Sequence, residues 1–274
     1  MQAVFDLLEK SADDMGNCNP LWLKEKRVPD FNVVVSGKSG PSIILLHGLF
    51  GAVSNWESTV PYLQEFSKVH AFEFPIVTAH RSEVRVKALA LQTEFYLRLH
   101  HKEPVILCGN SLGGHVALRV AMSAPELVKG LILSGASGLY EHTVNSLPVR
   151  PGEKFIRDHM GRVFFNKKFI TDQGVHEILG ILSGRMNHLN LIHSARSAKR
   201  DFLGEYLKDI HLPTLLLWGE DDEVTTMKVA HIFDDSLPDS ELKAIKDCGH
   251  APMIEHPKWF ADEVKSFLER RNLL

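Results

Sequence analysis

The sequence predicts an α/β fold with about eight strands in a mostly parallel sheet, flanked by helices and interrupted once by a helical insertion. Three observations carry this. Short unbroken apolar runs at Ser42–Leu46, Val69–Phe74, Pro104–Cys108, Leu131–Ser134 and Thr214–Trp218, with a further strand at Glu241–Ile245, alternate with segments of helical periodicity. Strand and helix in that rhythm imply parallel pairing through crossover connections. The rhythm stops between about Leu139 and Leu212, where helical segments follow one another without a strand. Finally, 274 residues, 44% of them hydrophobic, suffice for one full core.

In chain order, a short acidic helix leads into two extended stretches, Leu21–Val28 and Phe31–Ser36, separated by Pro29-Asp30. The strand Ser42–Leu46 ends at His47-Gly48. Helices are expected at about Val53–Phe66, Val84–His101 and Ser111–Ala124, each between two strands. Within the insertion the helical candidates are Glu153–Met160, Lys168–Leu179 and Leu189–Leu207. After Thr214–Trp218 come a helix around Val224–Asp235, the strand Glu241–Ile245 and an amphipathic helix from Pro257 to about Arg270. The domain reading is a core of residues 1–138 and 210–274 carrying a helical cap, or lid, at 139–209.

Composition excludes several classes of function. A net charge of −3 and a pI near 6.6, with no run of Lys or Arg, provide no field to hold a nucleic acid. Cys18, Cys108 and Cys248 form no CxxC pair, so they read as separate thiols in a reducing compartment. Met1–Met15 lacks both the basic start and the long apolar stretch of a signal peptide, and no apolar run approaches the roughly 20 residues that span a bilayer. A cytoplasmic protein with no membrane partner is expected. No metal is expected from the fifteen histidines, since HExxH is absent and His100-His101 cannot converge from adjacent helical positions. No cofactor is expected either.

Gly109-Asn110-Ser111-Leu112-Gly113-Gly114 contains the chain's only GxSxG and lies between a buried strand and a helix. A sharp strand-to-helix turn exposes the serine hydroxyl, and glycines let neighbouring backbones approach it. The helix N-terminus beneath Ser111 favours negative charge on a substrate oxygen. An ordinary βα turn with Ser111 as N-cap would share the pattern, so partners decide the reading.

Serine needs a general base, and His250 is the histidine placed for that role, in the turn Asp247-Cys248-Gly249-His250 after a strand and before the last helix. An orienting acid should come from another strand end. Trp218-Gly219-Glu220-Asp221-Asp222 offers three carboxylates there, among which local chemistry does not choose. The oxyanion needs two backbone N–H donors, each worth on the order of 10² to 10³ in rate. Leu112 should supply one. The loop His47-Gly48-Leu49-Phe50-Gly51 should supply the other through Leu49, with Phe50 next in line and also a candidate substrate contact. His47 reads as a structural histidine under that loop.

With these pieces the sequence resembles the α/β-hydrolase superfamily from about Leu21 to Arg270, in motif order and in spacing. The resemblance implies that Asp222, third after the Trp-Gly glycine, is the acid and that His250, following a glycine, is the base. Gly48 with Ser54-Asn55-Trp56, Gly109-Asn110-Ser111 and Trp218–Asp222 resemble the branch of small-ester hydrolases and meta-cleavage-product C–C hydrolases. Leu49-Phe50 and Ala251-Pro252 depart from the glycine run and the tryptophan usual in the C–C hydrolases. Ser111 argues against the aspartate nucleophile of dehalogenases and epoxide hydrolases, and Leu112 stands where proline iminopeptidases tend to carry tryptophan.

The expected function is therefore a serine hydrolase acting on a carboxylic ester with a small or medium acyl group. The alternatives are C–C hydrolysis and lactone hydrolysis, and, in a different class, a ligand-binding protein on the same fold. The partner is a small-molecule ester or related carbonyl compound, and the chain is a monomer or homodimer. Within the cap, Phe155, Met160, Phe164, Phe165, Phe169, Leu182, Met186 and Leu189 are apolar candidates, mostly for its own core. Arg185 and His188 are the candidates to meet a substrate carboxylate.

Overall fold

A computed structural model describes residues 1–16, 18–139 and 151–274. The first residues of the expected cap, 140–150, thus lie outside the described residues. Among the described residues seven strands, against the expected eight or so, form one sheet in the order β1-β3-β2-β4-β5-β6-β7. They are β1 (Asn32–Ser36), β2 (Ser42–Leu46), β3 (Lys68–Glu73), β4 (Val105–Asn110), β5 (Val128–Ser134), β6 (Thr214–Gly219) and β7 (Ser240–Ile245). β1 pairs antiparallel with β3 at one edge, and every other neighbouring pair is parallel.

The helices of eight or more residues are α1 (Gln2–Asp14), α2 (Val86–His100), α3 (Leu112–Ser123), α4 (Glu153–Val163), α5 (Asp172–Ser183), α6 (Arg185–Arg200), α7 (Met227–Ser236) and α8 (Pro257–Arg270). Successive strand residues point to opposite faces, and the central strands are apolar on both. Ile44 and Leu46 join one core with Leu107, Leu133 and residues of α1, α2 and α3. Ile43 and Leu45 join the other with Ile106, Ile132 and Phe260, Val264 and Phe267 of α8. Burial on both faces explains why these strands read as continuous apolar runs rather than alternating ones.

Several sequence expectations change. Leu21–Val28 is not extended, because Leu21–Lys24 folds as one helical turn that buries Trp22 and Leu23. There Trp22 packs 5.5 Å from the ring of Phe95 in α2. Burying that large apolar side chain against α2 outweighs the extended preference of the segment. The expected helix over Val53–Phe66 is split into a 3₁₀ turn at Val53–Trp56 and a helical turn at Val60–Leu63. Pro61 stands in the first turn of the second piece, where its missing N–H costs nothing. Between β5 and β6 the described residues hold no strand, only α4, α5, α6 and two 3₁₀ turns. α6 starts and ends earlier than the expected Leu189–Leu207, at Arg185 and Arg200.

Candidate active site

The parallel strands place their C-terminal ends along one edge of the sheet, where ligands of open α/β folds bind. β2 delivers the His47-Gly48 loop, β4 delivers Ser111, β6 delivers Asp222 and β7 leads into His250. Four sequence-distant segments therefore meet there.

Ser111 has φ 55° and ψ −118°, a left-handed conformation that a non-glycine residue adopts only when its surroundings impose it. The surroundings are visible. Its N–H donates to Ser134 O at 3.0 Å, and its own carbonyl accepts from Ser137 N at 3.0 Å and His115 N at 3.2 Å. Gly113 is obligatory for the same turn, since a Cβ there would lie 2.1 Å from the carbonyl oxygen of Leu46. α3 starts directly after Ser111.

Asp222 and His250 are both buried, and Nδ1 of His250 lies 2.8 Å from Oδ2 of Asp222. The carboxylate is saturated with donors. Oδ1 accepts from the N–H groups of Val224 at 2.7 Å and Thr225 at 2.9 Å, and Oδ2 also accepts from the Thr225 hydroxyl at 3.0 Å. Trp218 holds this loop by donating its indole N–H to Thr225 O at 2.6 Å. Asp221, in contrast, is exposed. Asn110 joins the Ser111 turn to the His250 loop, because its Nδ2 donates to Ser134 O and to His250 O, both at 3.0 Å. At Gly135, with φ +50°, a Cβ would lie 2.8 Å from Nδ1 of His250, so only glycine leaves room for the pair. No hydrogen bond joins Ser111 Oγ to His250, a contact that often tightens only with substrate bound.

The His47 loop closes over Ser111, where a Cβ at Gly48 would lie 3.3 Å from Cβ of Ser111. The N–H groups of Leu49 and Leu112 have no acceptor among the described residues. His47 is structural, as its sequence context suggested. Its Nε2 accepts from Phe74 N at 2.9 Å, which leaves the proton on Nδ1 to donate to Gly48 O at 2.7 Å. Burial pushes its pKa down, against the opposing effect of the Gly48 carbonyl. Cys108 and Cys248 are both buried, and burial raises both thiols, so neither is a competing nucleophile.

Of the expected substrate contacts, Phe50 belongs to the His47 loop and packs against His159, while Arg185 and His188 are not joined to Ser111, Asp222 or His250. Arg185 is exposed and forms no ion pair among the described residues. His188 is buried with Nδ1 unpartnered, and it makes no hydrogen bond to Ser111, Asp222 or His250.

Two residues escape a sequence reading. His159 of α4 packs edge-on to Phe50 at 5.3 Å and stacks on Phe155 at 6.4 Å. Burial first, and then the electrostatic influence of His250 and Arg162, lowers its pKa. Glu255 accepts from the N–H groups of Gly249 at 2.7 Å, Asn166 at 2.8 Å and Phe165 at 3.3 Å. It ties the His250 loop to the segment after α4, a link reinforced by His250 N donating to Val163 O at 2.7 Å. Neither residue sits in a motif, and only the fold brings them here.

Residues 41–257 match the model of the alpha/beta hydrolase fold family. The chain belongs to that family. It is 28% identical over 257 residues to a 2-hydroxy-6-oxo-6-(2'-aminophenyl)hexa-2,4-dienoic acid hydrolase of Metapseudomonas resinovorans, with 86% of each chain covered. It is 26% identical to a 2-hydroxy-6-oxononadienedioate/2-hydroxy-6-oxononatrienedioate hydrolase of Burkholderia vietnamiensis, covering 86% of this chain and 89% of that one. Among solved structures it resembles an alpha/beta hydrolase enzyme from a sediment metagenome of the lagoon of Mar Chica, Morocco. That match has a TM-score of 0.73 and 30% identity, covering 89% of this chain and 97% of the other. Among the described residues no helix is long and apolar enough to cross a membrane.

Proposed function

We propose that this protein is a serine hydrolase that cleaves a carbon–carbon bond in a 2-hydroxy-6-oxo-dienoic acid, with Ser111 as nucleophile, His250 as general base and Asp222 as its orienting acid. The observation that carries the substrate class is the match along 86% of both chains to a hydrolase named for such an acid. It moves the reading away from the carboxylic ester favoured by sequence and toward its alternative. His159 adds geometric support. Carbon–carbon cleavage requires a polar group near the dienol, a role for which the sequence offered only Arg185 and His188, and α4 provides the His159 imidazole beside Phe50 instead.

The chemistry follows from the substrate's name. Moving the enol proton from the oxygen on C2 to C5 gives a ketone that can later hold an electron pair. Ser111 Oγ then attacks C6 while its proton passes to Nε2 of His250, and the C6 oxyanion accepts hydrogen bonds from the N–H groups of Leu49 and Leu112. The C5–C6 bond breaks, its electron pair delocalises from C5 to the oxygen on C2, and His250 returns the proton to the leaving dienolate. Water, deprotonated by the same histidine, hydrolyses the ester on Ser111. Asp222 keeps His250 in the tautomer with Nδ1–H and stabilises the cation. Residues 139–209 act as a lid on the core formed by 1–138 and 210–274, and Phe50 and His159 line the substrate space beneath it. The substrate is a soluble small molecule, and no cofactor enters any step.

Two measurements test this. A fluorophosphonate probe should label the wild type on Ser111 and leave Ser111→Ala unlabelled; an adduct on another serine overturns the nucleophile. In a panel of vinylogous 1,5-diketo acids and p-nitrophenyl esters from acetate to octanoate, the best diketo acid should exceed every ester in kcat/KM by about a hundredfold, or 2.7 kcal/mol of transition-state preference. If an ester is turned over as well or better, ester hydrolysis is restored as the function.

A further inference from the structure

A concavity of about 460 Å³ lies between the end of α6 and the start of α2, and Ser111 is not among its lining residues. Its walls are strongly basic, with Arg81, Arg85 and Lys87 on one side and Arg196 and Arg200, one helical turn apart, on the other. His193 stands among them. Its pKa is lowered by burial first and then by the guanidinium groups of Arg81, Arg196, Arg85 and Arg200, which line the same cleft.

None of these four arginines has a carboxylate partner among the described residues. The single acid in the lining, Asp201, is already committed. It accepts two hydrogen bonds from Arg119, at 2.7 Å and 2.5 Å, pairs with His115 at 3.1 Å and lies 3.3 Å from Nζ of Lys87. Burial works to raise its pKa, but the hydrogen bonds and charges of His115 and Arg119 hold the carboxyl well below the usual range. It therefore stays ionised and turned toward its own partners. Five cations face one satisfied carboxylate in a chain whose net charge is −3. Like charges gathered this way destabilise one another until an anion joins them.

The walls are also fixed in place. Val86 N, at the start of α2, donates to Ser197 Oγ of α6 at 2.9 Å, and Lys87 donates to Met15 O at 2.7 Å. A pocket of this volume takes a small molecule rather than a polymer. Guanidinium forks match the oxygens of a phosphate in pairs, and two pairs of arginines suit a multiply charged phosphate better than a single carboxylate.

We propose that this cleft is a binding site for a phosphorylated ligand, with Arg81, Arg85, Arg196 and Arg200 gripping the phosphate oxygens. The phosphate can belong to a soluble metabolite or to a lipid headgroup, and the test separates the two. Inorganic pyrophosphate serves as the soluble probe, and phosphatidylcholine vesicles containing about one fifth phosphatidic acid serve as the lipid probe.

In calorimetry on the full chain, pyrophosphate should bind with a Kd below about 100 µM at roughly 0.15 M salt and more weakly as salt rises. Arg81→Gln/Arg196→Gln should weaken it at least about tenfold. Lys24→Gln/Lys38→Gln, the same charge change outside the cleft, should not. Both arginines are exposed and unpaired, and an unchanged unliganded melting temperature verifies that the double variant folds. Vesicle binding that pyrophosphate displaces assigns the phosphate to a lipid; pyrophosphate binding without vesicle binding assigns it to a soluble ligand. The proposal is overturned if neither probe binds the wild type, or if the arginine variant binds both as the wild type does. Because binding is read without turnover, failure here leaves the proposed hydrolysis untouched, and failure of that hydrolysis leaves this site standing.

Discussion

Replacing Asp222 by asparagine changes almost no volume, yet the surroundings leave the amide no acceptable orientation. Both oxygens of Asp222 are acceptors only, and together they receive four donors: two backbone N–H groups, the Thr225 hydroxyl and the Nδ1–H of His250. With its NH₂ toward His250, asparagine forces the imidazole into the other tautomer, which moves the proton to Nε2 where a base must be empty. With its NH₂ toward Val224 and Thr225, it sets donor against donor at two N–H groups, at about 1–3 kcal/mol for each one left unsatisfied. The variant therefore loses function in the first arrangement and stability in the second. Triads that lose their acid in this way lose up to about 10⁴ in kcat, or about 5 kcal/mol. Asp221→Asn is the internal control, since that side chain is exposed, and its stability should change by less than about 0.5 kcal/mol. The assay is kcat on the best substrate of the panel, beside urea unfolding of both variants. A larger loss of kcat in Asp221→Asn than in Asp222→Asn, with both folded, would refute the reasoning.

Three further outcomes follow from other parts of the molecule. Gly113→Ala places a methyl 2.1 Å from Leu46 O and 2.5 Å from its carbonyl carbon, both backbone atoms, so urea unfolding should show a loss of at least about 3 kcal/mol. His159→Phe keeps the ring contacts with Phe50 and Phe155 but removes the polar atoms, so it should lower kcat for a diketo acid by about tenfold to a hundredfold more than for p-nitrophenyl acetate; equal losses would make His159 a packing residue only. His70 carries a pKa lowered from 6.5 to about 4 by burial and then by His101, Lys68 and His100, which face it from β3 and the end of α2. Above 6.5 it is neutral in both states; below that the unfolded chain takes up a proton that the folded chain accepts only near 4, so stability falls as pH drops through this window. Unfolding free energies measured from pH 7.5 to 5 should slope less steeply in His70→Gln.

Most of the fold was legible because its central strands are buried on both faces, which gives short apolar runs that nothing but a parallel sheet explains well. Ser111 and His250 were legible as candidates for a related reason, whereas Asp222 was separated from Glu220 and Asp221 only by the family resemblance. Each occupies a strand end, and strand ends are easy to locate when strands are. The misreading at Leu21–Val28 has the opposite cause: Trp22 is drawn into a helical turn by Phe95, seventy-three positions away, and no local pattern records that contact. His159 and Glu255 fail to show for the same reason, since their partners Phe50 and Asn166 belong to distant segments. Arg185 shows how a side chain of the right chemistry on the right segment can still point to solvent.

Charge illustrates a further limit of reading composition alone. A total of −3 argues against any partner that must feel the whole molecule's field, such as a nucleic acid. It says nothing about a cleft whose dimensions are comparable to the screening length of about 8–10 Å. Inside that distance only local charges count, and locally the decisive residue is Asp201. Were its carboxylate free, it would neutralise one of the arginines facing it, and the cleft would be an ordinary surface ion-pair cluster worth little to stability or binding. Instead Arg119 and His115 of α3 hold it from behind, so the negative charge joins α6 to the core and pairs with Lys87, while the four arginines have no carboxylate partner among the described residues on the cleft side. The feature that makes the cleft a candidate anion site is thus an interaction buried one layer beneath it. Asp201→Asn should accordingly weaken the union of α6 with α3, which urea unfolding reads directly, while leaving or strengthening pyrophosphate affinity. A loss of affinity with the fold intact would show that the carboxylate organises the cleft in some other way.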